Sequence, residues 1–247
     1  MHLRATSAGR FCIGTRDQVF RQAVAIAARA WDGNRGDPFF WALSGGSTPV
    51  EWYRWCVATG AINSALLGAT GWFTSDERHV PLASEESNFG TADRSLLQPL
   101  GVSAARKHPW PVELHATACA IAFEERFRSL RRSDTAFDIC FLGLGGDGHT
   151  ASLFPGGELV KRNDATFFVA VEVPGKGCRL TITPRGLRAC GAIVVMALGA
   201  GKREALARVL AEAGSIDETP ARLLREMRDK VTWLVDPPAV DGIEGLW

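Results

Sequence analysis

The chain has 247 residues, 46% hydrophobic and 22% charged, with 28 Lys and Arg against 27 Asp and Glu. That length allows one large α/β domain or two small ones with a sizeable core, and the composition excludes a disordered chain. The near-zero balance of charge excludes a general attraction to nucleic acid or anionic membrane, so an anionic ligand has to be held by a few placed cations.

The pattern that recurs along the chain is strand, glycine-containing loop, helix. Residues 16–31 put Val19, Phe20, Ala23, Val24, Ala27 and Ala28 on one face at helical spacing. Residues 39–43 form a short apolar strand, cut by Ser44-Gly45-Gly46-Ser47. A helix follows, with Thr48 expected as its cap, Pro49 at its first position and Glu51 completing a capping box. Residues 72–75 read as a strand, followed by a polar loop over 76–87 and a helix through Leu97. Residues 117–131 have helical periodicity. Arg126, Arg128, Arg131 and Arg132 there form a basic stretch suited to the solvated C-terminal end of a helix.

Residues 137–142 are a buried strand running into Gly143-Leu144-Gly145-Gly146-Asp147-Gly148-His149. Residues 167–173 and 179–183 read as strands. Residues 193–198 are a continuous apolar strand ending in Gly199-Ala200-Gly201-Lys202, which opens a helix through Glu212. Thr219-Pro220 caps a last helix, and 231–235 form the last strand. No internal repeat interrupts this alternation, which predicts a mostly parallel sheet with helices on both faces. Ligands of such sheets bind at the carboxyl ends of the strands. Four loops leave those ends carrying polar residues: 44–48, 76–81, 143–149 and 199–202.

The first of these, Ser44-Gly45-Gly46-Ser47-Thr48, can cradle a phosphate on backbone N–H groups and two hydroxyls, and can equally be a plain strand-to-helix turn. Gly199-Ala200-Gly201-Lys202 is not a nucleotide P-loop, because the full spacing is missing. A lysine in the first turn of a helix opposes the dipole, which suits one facing an anion, although a solvated lysine explains it as well. Residues 143–148 match G-x-G-x-x-G, so a dinucleotide-binding module is the rival class. Pro155, however, cuts off the long helix that this fingerprint requires.

His149 ends that loop with Asp147 two residues away, a suitable setting for a general base. The histidines have no metal-ligand spacing, and no G-x-S-x-G elbow is present, so water is the expected nucleophile. Asp76-Glu77-Arg78 is either surface charge or, through the arginine, part of an anion site. Six widely spread cysteines without a C-x-x-C pair read as reduced thiols. Residues 1–16 lack a signal-peptide core and no segment spans a bilayer, so the expectation is a cytoplasmic protein.

In this order, several strings resemble the glucosamine-6-phosphate isomerase/6-phosphogluconolactonase family. They are Leu43-Ser44-Gly45-Gly46-Ser47-Thr48-Pro49, Asp76-Glu77-Arg78 with Val80-Pro81 and Ser87-Asn88, Leu142-Gly143-Leu144-Gly145 with Asp147 through Pro155, Arg179-Leu180-Thr181-Ile182-Thr183, and Gly201-Lys202. The resemblance implies a single Rossmann-like open α/β domain over 1–247 that binds no nucleotide. It implies hydrolysis of 6-phosphogluconolactone to 6-phosphogluconate in the oxidative pentose phosphate pathway, with a phosphosugar lactone as the small-molecule partner and no cofactor or metal. It makes His149 the base that activates water. Arg78 and Lys202 hold the phosphate, Gly45, Gly46 and Ser47 line the same anion site, and Arg179 is a further contributor. Asp147 either orients His149 or contacts a sugar hydroxyl. The chain departs from the family at Pro174-Gly175-Lys176-Gly177-Cys178, where prolines are more common. The isomerases carry a glutamate just before the proline ending the histidine loop; Phe154 stands there here. A monomer and a homodimer are equally compatible with the sequence.

Overall fold

Apolar residues alternating in register with a seven-stranded sheet set the architecture. The computed structural model describes residues 1–31, 38–131 and 133–246, so Arg132 of the expected basic stretch lies outside the described residues. The chain opens with β1 (His2–Thr6) and β2 (Gly9–Ile13), an antiparallel pair. Next come α1 (Arg16–Ala30), β3 (Phe39–Leu43), α2 (Ser47–Thr59), α3 (Ser64–Ala69), β4 (Thr70–Thr74) and β5 (Asp76–Arg78). Then follow α4 (Asn88–Ala92), prolonged by a π-helical turn, α5 (Ala116–Leu130), β6 (Ile139–Gly143), β7 (Phe168–Val173) and β8 (Gly177–Ile182). The remainder is α6 (Pro184–Arg188), β9 (Ala192–Ala197), α7 (Arg203–Leu210), β10 (Val231–Val235) and α8 (Pro237–Val240).

The main sheet has the order β1-β2-β10-β9-β6-β3-β4, and every pairing except β1–β2 is parallel. Each central strand is buried on both faces. In β3, Phe39, Trp41 and Leu43 join the core under α1 and α2, while Phe40 and Ala42 join the core under α5. Trp41 stacks on Trp72 of the neighbouring strand at 5.1 Å and meets Phe141 edge-on at 5.1 Å. Burying one such aromatic side chain contributes about 1.5–3 kcal/mol. A second, antiparallel sheet of order β5-β8-β7 packs beside the carboxyl ends of the first.

The structure corrects several expectations. Thr48 and Glu51 form no capping box: α2 starts at Ser47 after Gly46, no side chain caps it, and Glu51 instead pairs with Arg16. The capping box belongs to α1, where Thr15 Oγ1 accepts from the Gln18 N–H and the Thr15 N–H donates to Gln18 Oε1. The start of the expected polar loop after β4 is strand β5, recruited by tertiary pairing with β8. Residues 220–230 are 3-10 turns kinked at Met227 rather than an α-helix. Arg131 is not solvated: it is buried, donates to Asp138 Oδ2 at 2.6 Å and lies over the Phe40 ring.

Candidate active site

At the carboxyl ends of β3, β6 and β9, the strand-to-helix loops surround a cleft of about 220 Å3. Gly45, Gly46, Ser47, Arg78, His149 and Lys202 line it, with Asp76, Asn88 and Ala151. The structure therefore brings together six of the eight site residues expected from the sequence. Asp147 and Arg179 lie outside this lining: Asp147 pairs with His149, and Arg179 is the cross-strand neighbour of Arg78.

The anion side is built by α2. With no side-chain cap, its first N–H groups are open toward the cleft at the positive end of the helix. Tyr53 of the same helix donates its hydroxyl to the Ser44 carbonyl at 2.6 Å and pins the incoming loop. Gly45 is required by close approach, since a β-carbon there would lie 1.9 Å from Asn88 Oδ1. Lys202 enters from the N-terminus of α7, and no carboxylate among the described residues pairs with it.

The base side is built by the loop after β6. His149 Nδ1 lies 2.5 Å from Asp147 Oδ1, which also accepts the His149 backbone N–H at 3.1 Å. That double contact leaves Nε2 as the ring nitrogen without a protein partner among the described residues. The Gly145 N–H donates to the His149 carbonyl at 2.8 Å. A β-carbon on Gly145 would lie 2.0 Å from His149 Nδ1, so only glycine lets the imidazole fold back on its loop. Phe154 closes the other side of the ring, 4.5 Å away. Burial works against charge on Asp147, but the hydrogen bonds from His149, helped by the Lys176 ammonium, hold its carboxyl below the usual range.

The third wall comes from the small sheet. Arg78 and Arg179 face each other in the β5–β8 register. Arg78 Nη1 donates to the Glu86 carbonyl at 2.7 Å, and Arg179 Nη1 to the Cys178 carbonyl at 3.2 Å. Burial and the neighbouring Arg78 charge lower the Arg179 pKa. Burial pushes the Asp76 carboxyl up; the Ser152 hydroxyl, which donates to it at 2.8 Å, and the charges of Arg78, His149 and Arg179 oppose this.

Glu77 is the residue that the sequence concealed. It reads as surface charge, yet it is fully buried and accepts four hydrogen bonds. These come from the Arg78 N–H (2.8 Å), the Ser87 hydroxyl (3.0 Å), and the N–H groups of Asn88 (2.6 Å) and Phe89 (2.8 Å). Burial raises its pKa, and these donors counter that rise. Glu77 thereby fastens β5 to the start of α4 and aims Arg78 and Asn88 at the cleft. The only sequence signal was Ser87-Asn88, where the Ser87 hydroxyl caps α4.

Among the described residues, no three His, Cys, Asp or Glu side chains gather in a way that could hold a metal ion, and no helix is long and apolar enough to cross a membrane. All six cysteines are free.

An open, mainly parallel sheet with an uncapped helix N-terminus and a histidine–carboxylate pair at one mouth defines a Rossmann-like α/β enzyme. The family model described as glucosamine-6-phosphate isomerases/6-phosphogluconolactonase matches residues 15–233. A 6-phosphogluconolactonase from Rhizobium meliloti is 35% identical over 210 residues, 83% of this chain and 84% of the relative. The structure of 6-phosphogluconolactonase from Leishmania guyanensis superimposes with a TM-score of 0.79 at 27% identity, covering 97% of this chain and 99% of that one. The GDH/6PGL endoplasmic bifunctional protein of Oryctolagus cuniculus is 40% identical over 123 residues, 47% of this chain. That match covers only 15% of the bifunctional protein's length. The chain belongs to the glucosamine-6-phosphate isomerase/6-phosphogluconolactonase family.

Proposed function

We propose that this chain is a 6-phosphogluconolactonase: it hydrolyses 6-phosphogluconolactone to 6-phosphogluconate in the oxidative pentose phosphate pathway, in the cytoplasm and without a cofactor. The observation that carries this reading is the pairing of His149 with Asp147 across one small cleft from an uncapped helix N-terminus and two cations. A remote phosphate held at the cradle by Ser47, the Gly45-Gly46 backbone, Lys202 and Arg78 supplies binding energy that orients the lactone carbonyl near His149. Arg179, the cross-strand neighbour of Arg78, adds positive potential.

In the reaction, His149 Nε2 removes a proton from water as the water oxygen bonds to the lactone carbonyl carbon. The carbonyl π pair moves to oxygen and forms an oxyanion. Collapse of that intermediate restores the C=O and breaks the bond to the ring oxygen, which takes the proton from His149 and becomes a hydroxyl. The new carboxylic acid then ionises to the product. Asp147 holds the imidazole in the tautomer that leaves Nε2 free and stabilises its positive charge.

The rival activity within the family is isomerisation and deamination of an amino-sugar phosphate, which needs carboxylate acid–base groups at a ring-opening site. The side chain packed against the His149 ring is Phe154, which has no proton to transfer. The test measures ammonia release from glucosamine 6-phosphate beside hydrolysis of freshly made 6-phosphogluconolactone. The expected outcome is rapid hydrolysis with no ammonia. Sustained deamination, with lactone loss no faster than in buffer, would reverse the assignment.

A further inference from the structure

Ala151 is the only non-glycine residue with positive φ among the described residues, at 46°. It lies two residues after His149 and lines the same cleft. A backbone in this region is unfavourable for a side chain with a β-carbon, so the surroundings must impose it. They do. The Leu153 N–H donates to the Thr150 carbonyl at 3.0 Å, closing a turn over residues 150–153. The Thr150 hydroxyl donates to the Gly143 carbonyl at 2.9 Å, on one side of Ala151. On the other side, the Ser152 N–H donates to Thr181 Oγ1 at 3.1 Å and the Ser152 hydroxyl donates to Asp76 Oδ2 at 2.8 Å. Thr150 and Ser152 are both buried. Both neighbours of Ala151 are thus anchored to different strands of the site, and the strained residue between them is held in one conformation.

The Ala151 N–H itself meets no acceptor among the described residues. A donor left unused in a clamped turn, beside the base and in the wall of the cleft, has the properties of a preorganised oxyanion site. It is fixed before the reaction and has no internal bond to give up. We propose that the Ala151 N–H donates to the oxyanion formed at the lactone carbonyl as water adds. This inference rests on the lactonase reading and adds to it the group that stabilises the developing charge.

The test replaces the Ala151 amide by an ester, with lactic acid incorporated in place of alanine, so that the N–H becomes an oxygen and the methyl group is kept. The expected result is a fall in kcat of roughly 10²–10³-fold, the usual scale for one oxyanion donor, with KM for 6-phosphogluconolactone little changed. The matching ester at Leu153 removes the N–H that closes the turn but keeps the Ala151 N–H. It should lower Tm while retaining most of kcat, which separates donor loss from turn loosening. In protein labelled with 15N-alanine, 6-phosphogluconate should move the Ala151 amide proton downfield, and inorganic phosphate alone should leave it in place. An Ala151 ester with wild-type kcat, or an amide unmoved by 6-phosphogluconate, overturns the inference while the lactonase reading stands. A wild-type chain without lactonase activity overturns both.

Discussion

The two sheets contribute to the cleft by opposite means. The large, mainly parallel sheet offers backbone: loops after β3, β6 and β9 bring N–H groups, glycines and two side chains, His149 and Lys202, to strand ends that any doubly covered sheet presents. The small antiparallel sheet offers side chains: three-residue β5 places Asp76 and Arg78 in the wall and Glu77 behind them. The first wall is set by the fold itself. The second depends on one buried carboxylate and its four donors, so it should be easier to break by mutation at a distance from the substrate.

The largest catalytic effect away from His149 itself is expected at Asp147. Asp147→Asn keeps the shape of the side chain but lets the imidazole take the wrong tautomer, so kcat should fall on the order of 10²–10⁴-fold with KM nearly unchanged. The same variant checks the electrostatics. The Asp147 pKa is depressed below 3.8 in the folded protein. Its contribution to stability is therefore fully present above the unfolded-state value and lost as pH falls through the folded one. Urea denaturation should show a stability gap between wild type and Asp147→Asn that shrinks as pH falls below about pH 4.

Glu77→Ala tests the second wall. It strands three backbone N–H groups, two of them buried, each worth about 1–3 kcal/mol when unpaired, so stability should drop by roughly 3 kcal/mol or more. KM should rise as Arg78 and Asn88 lose their aim. A Glu77→Ala protein with wild-type Tm and KM would mean that β5 needs no such anchor. Lys202→Ala and Arg78→Ala come next: if the two cations hold the phosphate as proposed, each change removes a charge-assisted contact worth about 1.5–3 kcal/mol and should raise KM roughly tenfold or more. Steady-state kinetics with 6-phosphogluconolactone and with unphosphorylated gluconolactone checks this, because only the phosphorylated substrate should lose. The smallest effect belongs to Lys176, whose ammonium lies 5.3 Å over the Phe154 ring. Lys176→Ala should change kcat by roughly two- to fivefold, in line with about 0.5–1 kcal/mol for an exposed cation–π contact. No change would separate the β7–β8 hairpin from the histidine.

Much of the first wall was legible in the sequence, and most of the second was not. Apolar runs such as 139–142 and 193–197 announce buried parallel strands, and the glycine loops after them mark where polar residues converge. Strand β5 gives no such signal: Asp76-Glu77-Arg78 has no apolar alternation, and only pairing with β8 makes it extended. Strand β1 gives no signal either, because it is an exposed edge without a hydrophobic face. The false capping box at Thr48 and Glu51 was good local chemistry overruled by Gly46, where the chain enters α2 one residue earlier and leaves the helix end open. The strain at Ala151 cannot be seen from sequence, since Ala is ordinary in every context except a positive φ.

The role proposed for His149 is to activate water for attack on a phosphorylated lactone. Its most direct test follows proton release after freshly made 6-phosphogluconolactone is added to wild type and to His149→Ala, each corrected for spontaneous hydrolysis. Turnover should stand well above background for wild type and fall on the order of 10²–10⁴-fold for the variant, with KM little changed. A His149→Ala protein that turns over the lactone at the wild-type rate would contradict that role.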